Sequence, residues 1–354
     1  SMFNRFGVII LMAVSFASIQ KAQTVVGKYA GEFMAIGVGG RALGMGGAYV
    51  AVGGDVTSGY WNPAGLARIN YPQGVLMHQE LYGSIVNYNY AAVAIPYNED
   101  MTFAVSAVRL SIDGIPDTRN AGRDRETGQI IDYNDPAWRM IHPNWDLDVS
   151  KITEFNNTDW AFYLSFAKRH SENFYWGANV KIIRRDLAEF GATGIGFDIG
   201  AWYNPYENFF LGANIQDVTT TYVAWSTGRN ELISPTAKIG AAYQTEFLGL
   251  NFLPALDFDI RFEGREYAST FNMVAVSFDI HTGIEIDYKN VVALRAGYND
   301  IKQITLGAGI KLPKLNIDYS FARFNQSELE RLDDSHKISL ILTLEDLRFL
   351  RKGN

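Results

Sequence analysis

The chain contains 354 residues, of which 47% are hydrophobic and 14% aromatic, and its formal net charge is −7. The acidic balance argues against nucleic acid as a partner, because the basic surface that binds phosphates is missing. The absence of cysteine excludes disulfides and thiolate metal sites and is compatible with an exported protein. After the N-terminus no apolar run of about 20 residues occurs, which argues against a helical membrane protein, whereas the strands of a membrane β-barrel escape such a search.

The N-terminus is typical of a secretory signal peptide, which we predict for residues 1–23. Asn4 and Arg5 provide a short polar start, and residues 6–17 form an apolar stretch that is too short to span a bilayer. Ser1 precedes Met2 and is interpreted as a remnant of cloning. The alternative for this segment is a buried N-terminal helix.

A glycine-rich stretch at 37–66 dominates the next segment, residues 24–72, which we predict to be a plug or periplasmic segment. Its start loosely matches a dinucleotide-binding fingerprint, but no predicted strand precedes it and no βαβ unit follows. Small residues allow tight turns and close approach of backbones, so we interpret the stretch as a compact filler of a barrel. The predicted plug motif comprises Gly44, Met45, Gly46, Gly47, Asn62, Pro63, Ala64 and Gly65.

Residues 73–345 predict a β-barrel whose side chains alternate between apolar and polar along each strand. The alternation is clearest in residues 276–288, and many of the strands have about 10 residues, the length that a tilted strand needs to cross the hydrocarbon layer. Residues 346–354 are predicted to be a periplasmic tail. The fourteen predicted strands are 74–81, 85–96, 101–112, 158–169, 174–186, 193–203, 209–218, 235–246, 255–263, 276–288, 291–299, 304–312, 315–324 and 336–345.

The lengths of the connections favour a transmembrane barrel over a soluble sandwich. Long connections follow odd-numbered strands, at 113–157, 219–234, 264–275 and 325–335, whereas short turns follow even-numbered strands, as at 97–100 and 289–290. Bacterial outer-membrane barrels have long outer loops and short periplasmic turns. The fold class predicted is therefore an all-β, transmembrane, antiparallel barrel in the bacterial outer membrane, with lipid around it.

The polar face of the predicted strands carries charges that must avoid lipid, because an ionised group in hydrocarbon costs several kcal/mol. We expect these charges to line the lumen and to form ion pairs between neighbouring strands. They either hold a plugged lumen together or select ions. Aromatic residues near strand ends, such as Tyr97, Trp202 and Phe210, indicate interfacial girdles. The predicted lumen charges are Arg261, Asp279, Glu285, Asp287 and Arg295.

The connection at 113–157 is the predicted surface for a partner or cargo. Loops this long are usually functional or disordered, and tryptophan and arginine are favoured anchors of interfaces. The alternative is a lid folded over the mouth of the barrel. The candidate contact residues are Arg123, Arg125, Trp138 and Trp145.

The sequence gives little support for catalysis. The five histidines have no metal-ligand spacing, and no nucleophile-elbow motif occurs. Asp279 and His281 share the predicted lumen face, which leaves a hydrolase built in the lumen as an alternative. We predict that the protein is not an enzyme and has no cofactor and no metal site.

Two motifs, GRALGMGGAYVAVGGD from Gly40 and YWNPAGLA from Tyr60, resemble the N-terminal signature of the PorV/PorQ family of outer-membrane proteins, relatives of the FadL-type channels. The similarity continues through stretches such as HTGIEIDYKNVVALRAGYND. The resemblance implies a component of type IX protein secretion, with the translocon or exported cargo proteins as partners. The alternatives are a FadL-like channel for hydrophobic small molecules, which needs an apolar lumen pocket and a side opening at a strand kink, and a structural or adhesin-like barrel.

Overall fold

The computed structural model describes residues 31–82, 84–262, 271–273, 276–325 and 334–352. The predicted signal peptide, residues 1–23, lies outside the described residues. The helices are α1 (Gly40–Gly44), α2 (Ser58–Trp61) and α3 (Pro136–Ile141), with 3-10 turns at Glu32–Ala35, Pro63–Arg68, Val149–Lys151 and Leu347–Phe349. Within these residues no helix is long and apolar enough to cross a bilayer.

The strands are β1 (Gln73–Leu81), β2 (Val86–Pro96), β3 (Met101–Asp117), β4 (Gly122–Asp124), β5 (Trp145–Leu147), β6 (Thr153–Arg169), β7 (Phe174–Leu187), β8 (Phe190–Tyr206), β9 (Phe209–Gln216), β10 (Thr221–Trp225), β11 (Asn230–Ile233), β12 (Thr236–Tyr243), β13 (Thr245–Phe247), β14 (Leu250–Arg261), β15 (Phe271–Met273), β16 (Val276–Tyr288), β17 (Val292–Tyr298), β18 (Gln303–Leu312), β19 (Leu315–Phe324) and β20 (Ser335–Thr343).

In the described part of the chain, fourteen antiparallel wall strands close into a barrel, which confirms the predicted fold class. The first strand, β1, pairs with both β2 and the last strand, β20, so the wall has no free edge. We count as one crossing each passage of the chain across the membrane, and two of the fourteen crossings consist of two consecutive strands. In order around the wall, the crossings are β1, β2, β3, β6, β7, β8, β9 with β10, β11 with β12, β14, β16, β17, β18, β19 and β20.

Two wall strands extend further than the alternation predicts. Strands β3 and β6 continue to pair beyond the predicted ends at 112 and 158, after a bulge between Ile112 and Ile115. Gly114, with φ of 67°, adopts the backbone conformation that this irregularity requires. The predicted loop at 113–157 is therefore shorter, because its two ends form a ribbon that projects from the barrel.

A second difference lies in the crossing formed by β9 and β10. The predicted strand at 209–218 ends at Gln216, and pairing with β8 resumes at Tyr222 after three additional residues. Asp217 and Thr220 both have positive φ, 55° and 59°, which an extended strand does not allow. We call residues 217–220 the wall break.

The two ends of the barrel differ as outer-membrane barrels require. Residues 118–152 emerge at one end, which we call the outer end. Residues 69–72, directly before β1, and the tail after β20 lie at the opposite, periplasmic end, where Lys289, Asn290 and Lys314 adopt positive φ in tight turns. Arg351 of the tail is buried and donates a 2.7 Å hydrogen bond to the carbonyl of Ile69. Parts of the predicted outer connections at 264–275 and 325–335 lie outside the described residues.

The two faces of the wall have opposite chemistry. Asp279, Glu285 and Asp287 of β16 face the interior and are at most 7% exposed. Large apolar side chains cover the outer face, which is the distribution that a lipid environment requires. Among them are Val93, Val105, Leu164, Ile195, Ile199, Leu294, Leu306, Ile310 and Leu340.

Candidate functional site

Residues 31–72 lie inside the barrel, and we call them the plug; residues 24–30 of the predicted segment 24–72 lie outside the described residues. The side chains of Tyr49, Leu66 and Ile69 are at most 2% exposed, so the plug has a core that it shares with the wall. Gly37 and Gly39 have φ of 92° and 82°, so the backbone at the entry to α1 requires glycine. The glycine-rich composition thus reflects the sharp turns that fold a short segment into a narrow lumen.

The first half of the predicted plug motif contacts the wall through its backbone. The carbonyl of Gly44 accepts a hydrogen bond from Thr305 (3.1 Å), and the carbonyl of Gly46 lies 2.9 Å from Nδ1 of His281. A Cβ on Gly283 or Gly297 of the wall would collide with the backbone of Met45 or Gly46. Glycines in the wall strands therefore provide the space in which the plug backbone lies against the sheet.

The second half of the motif is organised by Asn62. Its Oδ1 accepts from the amide of Ala64 (3.2 Å) and caps the Pro63–Arg68 turn. Its Nδ2 donates to the carbonyls of Val50 and Ala201, each at 2.9 Å, and so joins the plug to the wall. A Cβ on Gly65 would lie 2.8 Å from Oγ of Ser58 in α2, which explains why this position holds a glycine.

A buried ion-pair network connects the plug to one side of the wall. Arg41 donates two hydrogen bonds to Glu285, at 2.8 and 2.7 Å. Glu285 also accepts from Arg295 (2.6 Å), which donates in turn to Asp318 (2.6 Å). Two cations and two carboxylates thus neutralise each other away from water, as buried charges require. Sequence patterns identify Glu285 and Arg295 but give no sign that Arg41 is their partner.

The other predicted lumen charges have different neighbours. The guanidinium of Arg261 lies 3.9 Å from Asp279 on the adjacent strand. Asp287 accepts from the amide of Asn290 (2.7 Å) and lies 3.6 Å from Lys311, at the turn between β16 and β17. The structure therefore places Glu285 and Arg295 at the plug, and the remaining three in contacts within the wall.

The opposite side of the lumen is apolar and aromatic, which differs from the predominantly charged lumen expected from the sequence. Tyr88 and Tyr90 of β2 and Tyr163 of β6 are buried at 3% exposure or less. The ring of Tyr163 lies 6.2 Å from that of Tyr60 in the plug. The Tyr88 hydroxyl and Oε1 of Gln79 are buried without a hydrogen-bond partner in the described residues. We call the buried apolar and tyrosine side chains on the inward faces of β1, β2, β3 and β6 the apolar wall.

Some predicted girdle aromatics belong to the interior instead. Tyr97 is 70% exposed, as an interfacial residue should be. Trp202, however, is buried and donates to the carbonyl of Ala51 in the plug (2.9 Å). The guanidinium of Arg68 lies 4.5 Å from the Trp202 ring, a cation–π contact, and Phe210 stacks on the same ring. Position near a strand end does not distinguish the inward from the outward face.

The wall break is held from inside by a buried charge cluster. Nζ of Lys181 lies 2.8 Å from Asp198 and 2.5 Å from Asp217. Thr221 donates to the same oxygen of Asp217. Gly196 faces this cluster, and a Cβ there would collide with Thr221. The break is thus a fixed feature of the wall, and the pattern of residues 217–220, which include valine and two threonines, gave no signal for it.

The outer connection at 118–152 folds as a compact unit with a small sheet of β4 and β5. Trp138 stacks on His142, and Trp145 stacks on Tyr133 at 5.2 Å. Both tryptophans are half-buried within the unit. The most exposed apolar residues here are Met140, Ile141 and Val149, each above 70% exposed, and sequence reasoning missed them.

The predicted arginines of this connection also bind within it. Arg125 forms a 2.7 Å ion pair with Asp146, and Arg123 donates to the carbonyls of Asn120 and Gly122. Asp124 accepts a hydrogen bond from the amide of Thr127, and its other carboxylate oxygen lies 2.8 Å from Nδ1 of His142. These two contacts lower the pKa of Asp124 to about 2. These contacts make the connection a structured unit at the outer end, which we call the outer cap.

In the residues that the structure describes, no group of three histidine, aspartate or glutamate side chains is placed to hold a metal ion. The charged groups of the lumen described above contact the plug and each other.

The fold and surface define the class of protein. A closed antiparallel barrel satisfies all backbone hydrogen bonds within its wall, which a bilayer requires, and its outer face is apolar. The protein is an outer-membrane β-barrel protein.

Solved structures identify the fold more narrowly. The CymD monoaromatic hydrocarbon channel has a TM-score of 0.57 and 14% identity, covering 88% of this chain and 98% of that chain. A Pseudomonas aeruginosa FadL homologue has a TM-score of 0.52 and 14% identity, covering 86% and 98%. The Ralstonia pickettii toluene transporter TbuX has a TM-score of 0.52 and 12% identity, covering 87% and 97%.

The chain therefore has the fold of the FadL-like barrels, as the broader part of the sequence resemblance implied. No model of a known protein family matches the chain, and no curated protein matches it in sequence. The narrower PorV/PorQ assignment stays a prediction.

Proposed function

We propose that the protein is an outer-membrane channel that admits hydrophobic small molecules. The proteins with similar structures are a hydrocarbon channel and a toluene transporter, and they favour this alternative over a role in type IX secretion. The secretion role remains a prediction from the sequence motifs. In the channel interpretation the protein is a transporter and not an enzyme, and its partners are lipid and a small apolar substrate.

The observation that carries the proposal is the apolar wall. A hydrophobic molecule entering the lumen requires apolar contacts, because its transfer from water gains about 25 cal/mol per Å² of surface buried. Tyr88, Tyr90 and Tyr163 offer such a surface, and ligand sites are commonly apolar and aromatic with a few polar groups. The unpaired hydroxyl of Tyr88 is a polar group of this kind.

Passage along the apolar wall requires the plug to move. Tyr60 and Trp61 of the plug occupy the space in front of Tyr163, and all three are at most 5% exposed. The wall break lies next to this region, since Lys181 pairs directly with Tyr163 across β6 and β7. A displaced plug would open a path from the outer end along the apolar wall toward the wall break.

A reversible tether of the plug tests this proposal. The chain has no cysteine. A Cβ on Gly59 of the plug would lie 3.9 Å from Cβ of Ser165 in the wall, which matches the separation of about 3.8 Å in disulfides. The variant Gly59→Cys with Ser165→Cys should therefore fix the plug when oxidised and release it when reduced.

Uptake of toluene and of a long-chain fatty acid is measured in bacteria that produce the protein, with each single-cysteine variant as a matched control. We expect uptake above the vector background, loss of that uptake in the oxidised double variant, and recovery on reduction. Wild-type uptake equal to the background would overturn the channel function. Unchanged uptake in the oxidised double variant would show that the path bypasses the plug.

A further inference from the structure

The lipid-facing surface of β1, β2 and β3 contains a groove that the proposed transport does not use. One row of outward residues across the sheet runs Leu340, Leu76, Ala91, Ala107 and Phe162, which are direct partners on neighbouring strands. Two adjacent alanines lie between large side chains in this row. Because neighbouring strands are about 4.8 Å apart, the row leaves a depression about two strands wide.

The groove continues toward the periplasmic end through the next row. There Gly74 lies between Leu342 and Val93, so a third small residue extends the floor. The two parts of the groove have volumes of about 420 and 570 Å³ and share Leu76, Ala91, Ala107 and Leu340 as lining. Each volume lies within the range of about 300–1,000 Å³ that is typical of ligand sites. The groove is long, narrow and apolar, as an acyl chain requires.

Polar side chains replace apolar ones at the outer end of the groove. The row beyond Ala91 and Ala107 holds His78, Asn89 and Arg109 as direct partners, with Trp160 beside Arg109. Nδ1 of His78 lies 2.7 Å from Oδ1 of Asn89. Trp160 lies with its ring 5.7 Å from the guanidinium of Arg109, and tryptophan is enriched at the level of lipid headgroups.

Arg109 differs from the other outward arginines of the described wall. Arg184 pairs with Asp186 and Arg323 with Asp334, each at 2.6 Å. Arg109 donates to Oγ of Ser111 at 3.1 Å, and no carboxylate lies within ion-pair distance of it in the part of the chain that the structure describes. The carboxylate of Glu80 lies 3.7 Å from His78 and accepts from Ser84.

We propose that this groove binds a lipid of the outer leaflet that carries a phosphate headgroup. The polar rim lies toward the outer end of the barrel, so it faces the outer leaflet. One acyl chain lies on Ala91, Ala107 and Gly74, and Arg109 donates hydrogen bonds to the phosphate, a group that its planar guanidinium matches well. Asn89 and His78 provide further polar contacts to the headgroup.

Native mass spectrometry of the detergent-solubilised protein tests the site, with phosphatidylglycerol and diacylglycerol of equal chain length as probes, because diacylglycerol lacks the phosphate. We expect the wild type to retain phosphatidylglycerol about tenfold better than diacylglycerol, the factor that a charge-assisted hydrogen bond provides. Arg109→Gln should abolish this preference. Ala107→Leu fills the floor of the groove and should reduce retention of both lipids.

Arg184→Gln is the matched control, because it removes an outward arginine that has a carboxylate partner. It should leave the lipid preference unchanged, and circular dichroism verifies that every variant is folded. Equal retention by Arg109→Gln and the wild type would overturn the proposal. A dimeric wild type that becomes monomeric in Ala107→Leu, while its lipid retention stays unchanged, would also overturn the proposal. The groove would then be an interface between two barrels.

Discussion

Arg41 of the plug and Glu285 of the barrel wall form a two-bond ion pair inside the lumen, although 244 residues separate them in the chain. Glu285 is buried, with a side-chain exposure of 6%, and Arg41 is half-buried, with a side-chain exposure of 23%. The pair joins the plug to β16, the wall strand that carries Glu285. Four predictions follow from this contact and from others like it.

Glu285→Gln should destabilise the folded barrel by about 3 kcal/mol, because removal of one partner leaves a buried charge uncompensated. Arg295 retains Asp318 at 2.6 Å, whereas Arg41 retains the longer contact of 3.9 Å with Asp55, so the loss falls mainly on Arg41 and the plug. Thermal unfolding in detergent measures the change. The control is Asp186→Asn, which breaks the exposed pair with Arg184 and should cost less than about 1 kcal/mol. Equal losses in the two variants would contradict the role of Glu285.

Gly283→Ala should loosen the plug, because the added methyl group would collide with the Met45 carbonyl. Backbone lies on both sides of this contact, so we expect the cost of overpacking, about 1–3 kcal/mol. The measurement is the unfolding midpoint, together with protease cleavage within residues 31–72. Gly74→Ala is the control, since its new methyl group would lie 3.7 Å from the nearest atom. A stable Gly283→Ala variant with a protected plug would count against close packing here.

Acid should release the outer cap formed by residues 118–152. The pKa of Asp124 is about 2 in the fold, below its usual value of about 3.9, because amide donation by Thr127 and the His142 side chain favour the carboxylate. A depressed pKa contributes stability above the usual value, and that stability is lost as the pH falls through the folded pKa. We therefore expect pepsin cleavage of the cap to rise from about pH 4 to about pH 2.

The variant Asp124→Asn lacks the carboxylate at any pH. Pepsin should therefore cleave its cap at about pH 4 as fast as it cleaves the wild-type cap at about pH 2. The unfolding of the barrel itself should be the same in both proteins. A cleavage rate that is constant over this interval in the wild type would refute the assignment.

Lys181→Met should open the wall break locally. The substitution leaves Asp198 and Asp217 buried without their shared cation, and about 3 kcal/mol of local stability should be lost. The amides of Val218 and Thr220, which donate to Phe197 and Asp217, should then exchange with deuterium about a hundredfold faster. Lys311→Met is the control, because Lys311 is 30% exposed at its pair with Asp287. Unchanged exchange at Val218 would show that Lys181 does not hold the break.

The alternation of side chains predicts the wall well, and its reason is energetic. Asp279 and Ile280 must face opposite sides of a strand, and only one side of a barrel in lipid tolerates the charge. The same reasoning fails for β2, where tyrosines alternate with asparagines. Tyr88 and Asn89 both suit either face, so the pattern does not reveal that the tyrosines form the apolar wall.

Long-range partners were beyond prediction for a different reason. Arg41 stands in a glycine-rich segment without periodicity, and no local rule connects it to Glu285. Asp217 begins an interruption without glycine or proline, so the turn signals that mark loops are absent. In both cases the stabilising partner is distant in the sequence and close only in the fold. Glu285 is the partner of Arg41, and Lys181 is the partner of Asp217.

The pairing of β1 with β20 has a consequence for biogenesis. The first wall strand to be synthesised, β1, can complete its pairing only after the last one, β20, has been synthesised. The barrel therefore closes at the junction of β1 and β20. The plug, which precedes β1, must enter the lumen before this junction forms or as it forms. A chain truncated before Ser335 would leave β1 and β19 as unpaired edge strands beside a plug that is not enclosed. Unpaired edge strands form hydrogen bonds with other chains and so promote aggregation. Synthesis of the final nine residues of sheet is thus the step that converts an aggregation-prone ribbon into a membrane protein.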